Sequence, residues 1–415
     1  MSLMLEARKG VSSQVVKQLA EQENVSEEKL LRLIADGRVI VLEQGERVVG
    51  IGESLSTKVN ANIGTSSDFP EVAPELAKLR AAEESGADTV MDLSTGGDLD
   101  ANLSSIVSSS SVPVGTVPVY SAVVKARSKG KAFTEMSEDD FLGAVENHIK
   151  LGAQFLTVHC AILQEGARLS RSRVVRVVSR GGCFVDAWMR ANKKENPYFT
   201  NYDYLLELCK EKDVCLSLGD ALRPGALADA DDDAMLHELR TQSGLVKRAI
   251  EAGVGTIVEG PGHMPMDTIV ENVKLQKKLC HNVPYYVLGP LVTDVAPGYD
   301  HISGAIGGAI AAAAGVDFLC YVTPSEHLAL PAEQDVRDGV YASRIAAHAA
   351  DIVKRGDSKW DLEMSKARGK LDWDKQFDLA LNPNRAKEVK KKRNSSSKAC
   401  SMCGEYCAYK ISSGE

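Results

Sequence analysis

Short apolar runs alternate with helix-length amphipathic stretches along most of this chain. From residue 57 the runs are "TKVNANIG", "TVMDLST", "VPVGTVPVY", "FLTVHC", "RVVSRGG", "VCLSLGD", "GTIVEGPGH", "PYYVLGP" and "FLCYVTP". Between most of them lie segments such as "EVAPELAKLRAAEESG" (71–86), apolar at helical spacing and closed by Gly86. Strand then helix at this interval predicts a parallel sheet. Polar side chains gather at the ends of the runs: Asn60, Asn62, Asp92, Tyr120, His159, Ser179, Arg180, Asp220, Arg223, Glu259 and His263. A doubly wound sheet collects such groups at one switch point. Here almost every run contributes, so the pattern predicts an α/β fold, a (β/α)8 TIM barrel with its active face at the strand ends. Nine runs are one more than the barrel needs, and "RVVSRGG" is the weakest strand among them.

The flanks have other rhythms. "SSQVVKQLAEQENVSEEKLLRLIADG" predicts helices, with Ser26 as a cap, and "RVIVLEQGERVVG" predicts a hairpin turning at Gln44-Gly45. After about residue 330 the pattern is helical: one long segment in "DVRDGVYASRIAAHAADIVKRG", then a pair in "WDLEMSKARGKLDWDKQFDLAL". "NPNRAKEVKKKRNSSSK" reads as a flexible, solvated linker. The expected organisation is an N-terminal α+β segment over 1–55, the barrel over 56–350, a helical extension over 351–393 and a cysteine tail over 394–415.

Composition narrows the class. With 415 residues and 44% hydrophobic content the chain supports a large core. A net charge of −8 is unlike a nucleic-acid-binding footprint. "GAIGGAIAAAAG" (304–315) is too short to span a membrane, and no leader-like segment opens the chain. A cytoplasmic protein without nucleic-acid or membrane partners is expected. Of nine cysteines, six are scattered, several in strand-like text, which suits a reducing compartment.

The other three, Cys400, Cys403 and Cys407, form C-x2-C-x3-C. Three thiolates hold a [4Fe–4S] cluster with one iron left open, the arrangement that binds S-adenosylmethionine for radical chemistry. Zinc is the second option, completed by His263 or His327, and unliganded exposed thiols are the third. His263 and His327 both follow strand-like runs and can share one mouth, where imidazoles suit zinc or iron, with Glu259 and Glu326 as ligands or supports. Each alone also fits an ordinary loop histidine bonded to a carbonyl. "SRGG" (179–182) and "GDALRPG" (219–225) each place an arginine among glycines, as an anion site or as plain tight turns. Asn62, Tyr120, His159 and Asp220 suit hydrogen bonds to a heterocycle or ribose, or capping roles. Met91 and Met264 suit packing, or soft contact with a sulfonium or ring.

Several stretches carry a resemblance: "ARKG", "TKVNANIGTSS", "GADTVMDLSTGG", "PVGTVPVY", "SRGG", "SLGDALRPG", "VEGPGHMP", "LGPLVTDVAPGYDHI", "LCYVTPSEHLALP" and "ACSMCGEYC". Over nearly its whole length the chain resembles the thiamin pyrimidine synthase family of radical S-adenosylmethionine enzymes. That resemblance implies a homodimer of (β/α)8 barrels, each closed by a swapped tail carrying a [4Fe–4S] cluster. It implies cleavage of S-adenosylmethionine, driven by an electron donor protein or reductant. The radical formed acts on 5-aminoimidazole ribotide, with formate released. The family's catalytic, cluster-binding cysteines match Cys400, Cys403 and Cys407. Its additional divalent metal, zinc or iron, matches His263 and His327. Its substrate positions match Asn62, Met91, Tyr120, His159, Ser179, Arg180, Gly181, Asp220, Arg223 and Glu259. The departures from the family pattern are Ala221 for a glycine, "CAI" at 160–162, "VLEQGERVV" at 41–49, and Met264. Taken as changes in the cavity wall, they point to the relative that makes 5-hydroxybenzimidazole for the cobamide lower ligand. The alternative is phosphomethylpyrimidine synthase of thiamin biosynthesis, acting on the same substrate.

Overall fold

The computed structural model describes residues 2–393 and 398–413. It divides into two compact units, Met1–Ala350 and Asp351–Glu415.

The first unit opens with helices over Leu3–Arg8, Gln14–Glu23 and Glu27–Ala35. Ser26 caps the third, accepting a hydrogen bond from the Lys29 amide. Strands β1 (Val39–Gln44) and β2 (Arg47–Gly52) pair as an antiparallel hairpin whose turn is Gly45-Glu46, one residue later than expected. Val16, Leu19, Leu30, Leu33, Val39 and Leu55 form the small core of this segment.

Eight strands then close a parallel barrel: β3 (Lys58–Ile63), β4 (Thr89–Asp92), β5 (Val114–Thr116), β6 (Phe155–Val158), β7 (Cys215–Leu218), β8 (Thr256–Gly260), β9 (Tyr285–Leu288) and β10 (Phe318–Cys320). They run in chain order around the ring, with β10 returning to β3. Their side chains are almost wholly buried, as a barrel packed inside and sheathed by helices requires. The ninth run, "RVVSRGG", is no strand. It is a loop that leads into the helix Arg180–Asn192, because Ser179 caps that helix by accepting the Gly182 amide at 3.1 Å.

The barrel floor is aromatic. Phe318 stacks on Tyr286 with centroids 4.3 Å apart and meets Phe155 edge-on at 6.3 Å. Gly115 of β5 leaves room for Phe155 opposite, since a methyl there would lie 2.2 Å from the ring. Asn60, expected near the active face, instead sits inside β3 and is fully buried. It donates to Tyr286 and Asn62, both at 2.8 Å, and accepts from Thr89 at 2.8 Å, so its polar atoms are spent on the floor.

In the C-terminal unit, helices occupy Lys359–Gly369 and Trp373–Asp378, the expected pair. The stretch expected to be a flexible linker contains a third helix, Pro383–Lys392, which Asn382 caps through the Arg385 amide at 2.9 Å. Residues 394–397 of that linker, and 414–415 of the tail, lie outside the described residues. Among the described residues no helix is long and apolar enough to cross a membrane.

Candidate active site

The strand ends of the barrel converge on one cavity of about 90 Å³. Asn62 enters it from β3, Met91 from β4 and Tyr120 from the helix Pro118–Ser128 that follows β5. His159 and Ser179 follow β6, Asp220 and Arg223 follow β7, and Glu259 ends β8. A wider cavity of about 520 Å³ shares Asn62 and Leu93 with it and is lined by Arg180, Lys78, Glu326 and His327. Gly181 presses against the face of His159: a methyl there would lie 2.2 Å from the ring, so only glycine lets the helix start this close. Of the ten expected positions, eight line the smaller cavity, Arg180 lines the wider one, and Gly181 lies behind His159 and lines neither.

Their electrostatics are those of a largely buried polar site. The Asp220 carboxylate accepts from Arg223 at 2.9 Å through one oxygen, while its other oxygen is buried without a partner among the described residues. Burial pushes Asp220 well above the usual carboxylate range. Arg223 opposes the shift, and Glu259 and Glu238 add to it. His159 is held by Ser179 at 2.9 Å, and its Nδ1 is likewise buried and unpartnered. Burial, helped by the Arg223 charge, pushes its pKa down to about 3, so the ring is neutral. Glu259 accepts from Thr157 at 2.6 Å and Ser217 at 3.1 Å. It belongs to the cavity rather than to the two histidines. Arg180 lies over the Tyr120 ring, 5.1 Å from its centroid. Unspent polar atoms in a buried cleft are what a polar ligand satisfies.

His263 and His327 do meet, with ring centroids 5.2 Å apart. The sequence reading missed their true supports. Asp294 sits 2.8 Å from His263 Nδ1, and Asp300 sits 3.2 Å from His327 Nδ1. Both acids lie in "TDVAPGYDH" after β9, Asp294 in the loop and Asp300 at the start of the helix Asp300–Ala314, and the acidity of that stretch was the available signal. A carboxylate on Nδ1 fixes the ring's orientation and leaves Nε2 for a metal. His327 also holds a left-handed backbone, φ 61°, which disfavours a side chain with a Cβ. Glu326 is pushed up by burial, against the pull of His327. In the C-terminal unit Cys407 is buried against Leu371 and Ala399, Cys400 is half-buried and Cys403 exposed. Among the described residues no three His, Cys, Asp or Glu side chains converge as a metal cradle.

Comparison with known proteins decides the family. The model of the radical SAM ThiC family matches residues 2–414. The chain belongs to that family. Phosphomethylpyrimidine synthase of Desulfitobacterium hafniense is 52% identical, over 99% of this chain and 97% of its own length. The enzyme of the same name from Methanopyrus kandleri is 52% identical over 99% and 98%. That from Dehalococcoides mccartyi, strain BAV1, is 51% identical over 99% and 97%.

These ThiC-family relatives overturn the expectation of a 5-hydroxybenzimidazole synthase, and the structure shows why the wall argument misled. Ala221 is fully buried and does not line the cavity; it packs under Gly182, where an added methyl would lie 2.6 Å from the Ala221 Cβ. Cys160, Ala161, Ile162 and Met264 are also completely buried and absent from the lining of both cavities. These five departures are packing changes behind the wall, and the 41–49 stretch is the β1–β2 hairpin, which lines neither cavity. Tyr286, Thr157 and Cys320, which do line the cavity, were passed over because each read as an ordinary strand residue.

Proposed function

We propose that this protein is a phosphomethylpyrimidine synthase, converting 5-aminoimidazole ribotide to 4-amino-5-hydroxymethyl-2-methylpyrimidine phosphate at the barrel mouth. The observation that carries the reading is 52% identity, over 99% of the chain, to proteins of that name. The cavity suits the substrate. His159 Nδ1 and Asp220 Oδ2 are unspent groups for a polar ring or ribose, and Tyr286 and Met91 offer apolar faces. Arg180, Arg223 and the amides at the start of the Arg180–Asn192 helix suit a phosphate.

Cys400, Cys403 and Cys407 would hold the [4Fe–4S] cluster, and His263 and His327 a divalent metal oriented by Asp294 and Asp300. When bound, a three-thiolate cluster supplies the open iron and the electron for cleaving S-adenosylmethionine. The chain's own residues do the rest. Glu259, Asp220 and Arg223 fix the substrate's orientation, and the buried walls keep bulk water from a reactive radical. An external one-electron reductant and a homodimer with exchanged tails belong to the same reading.

The test is an anaerobic turnover of the reconstituted protein with reductant, S-adenosylmethionine and aminoimidazole ribotide, with products identified by mass. Hydroxymethylpyrimidine phosphate is expected, and any other product from the ribotide overturns the proposal.

A further inference from the structure

The helix start that carries Arg180 and the loop that carries Arg223 are held by buried side chains that do not line the cavity. Arg173 begins the segment 173–178 that leads to Ser179, and its side chain is only 1% exposed. It grips Asp232 through two nitrogens, both at 2.7 Å. The same guanidinium donates to the Leu222 carbonyl at 2.7 Å and the Arg223 carbonyl at 3.2 Å. From the opposite side Glu238, buried on the helix Asp233–Ala252, accepts the Ala221 amide at 2.9 Å and the Leu222 amide at 2.6 Å. Asp229 accepts the Val174 and Val175 amides at 2.9 and 2.8 Å, tying the segment to the same loop. Gly225 packs so closely on Val178 that a methyl would lie 2.2 Å from it.

Buried ion pairs return little net stability over apolar residues of the same volume. What this one provides is fixed backbone: one guanidinium fills two carbonyls of the second loop while anchoring the approach to the first. We infer that Arg173 and Glu238 are positioning residues, a clamp that sets the helix start Ser179–Gly182 and the Asp220–Gly225 loop against each other so that both can serve one phosphorylated substrate. The choice of ligand rests on the ribotide reading given above; the coupling of the loops does not.

Two readouts separate these points. In the full chain, reconstituted anaerobically without reductant, ribotide affinity is measured by calorimetry for Arg173→Lys and Glu238→Gln. Glu23→Gln serves as control: Glu23 forms a buried pair with Lys58 at 2.8 Å, outside both cavities. The clamp variants should bind about tenfold more weakly, the loss of roughly one charged hydrogen bond. The control should keep wild-type affinity even if it melts lower. Amide hydrogen exchange, read without ligand, should quicken at 179–182 and 220–225 together in each clamp variant. Equal affinity losses in clamp and control variants, or loosening of one loop alone, overturns the inference. A wild type that fails to bind ribotide counts against the substrate, and the exchange result still decides the clamp. If Arg173→Lys does not fold, Asp229→Asn is read in its place.

Discussion

Asp220 spends one carboxylate oxygen on Arg223 and holds the other in reserve. Asp220→Asn keeps the shape and replaces the carboxyl group facing Arg223 with an amide. Ribotide binding should weaken about tenfold or more, in line with a lost charge-assisted hydrogen bond, as calorimetry would measure. Gly181→Ala tests the same wall by shape. Its methyl would overlap His159, so the ring must turn away from Ser179. The expected result is loss of ribotide binding with a destabilisation of about 1–3 kcal/mol, the usual range for overpacking. An unshifted affinity would show that His159 does not set the pocket. At this scale the sequence was informative where chemistry and position coincide. Arginines among glycines, and a histidine at a strand end, announce themselves. Asp294 and Asp300 did not, because an acid in a loop or in a helix's first turn is usually solvated, and only the fold aims them at His263 and His327. Replacing Asp294 with Asn should lower metal retention at the histidine pair by about 10–100-fold, checked by metal analysis after dialysis against a chelator.

Elements were legible to the extent that their signal was local. Eight of the nine apolar runs are barrel strands, because buried parallel strands are continuous apolar text with helices between them. "RVVSRGG" has the β-branched residues of a strand, but the cap at Ser179 starts a helix at Arg180 and leaves residues 176–178 as the loop that leads into it. The Pro383–Lys392 helix was misread for the opposite reason: it has a cap, a proline at its first turn and Lys392 paired with Glu388 four residues back, yet almost no apolar face. β5 shows how one element constrains the next. It is three residues long, and Gly115 at its centre gives way to Phe155 of β6. Gly115→Ala should push Phe155 into Phe318 and cost about 1–3 kcal/mol in a denaturant melt. The floor beneath Tyr286 would shift with it, so turnover should fall further than ribotide affinity.

For the whole molecule, the packing that isolates the cavity also links folding to protons. His148 lies outside the cavity, on the helix Glu138–Lys150, between Ser121 at 2.7 Å and Thr116 at 2.8 Å. Burial pushes its pKa down to about 4, with the Lys125 charge assisting and Asp100 opposing. An unfolded histidine titrates near 6.5, so between pH 6.5 and 4 the unfolded chain holds a proton here that the folded chain refuses. The contribution is therefore complete above pH 6.5 and is lost as pH falls toward 4, at about 1.4 kcal/mol per pH unit in the middle of that window. Other buried groups titrate in the same range: Asp92, raised by burial to about 6, acts with the opposite sign. The total slope alone is thus uninformative, whereas the difference between wild type and His148→Gln isolates this proton. Chemical denaturation at half-unit steps should show wild type losing stability relative to His148→Gln by about 1.4 kcal/mol per unit between pH 6 and about 4, and running parallel to it above pH 7. Parallel curves throughout would mean that the ring can be protonated in place, with Ser121 and Thr116 turning to accept from it.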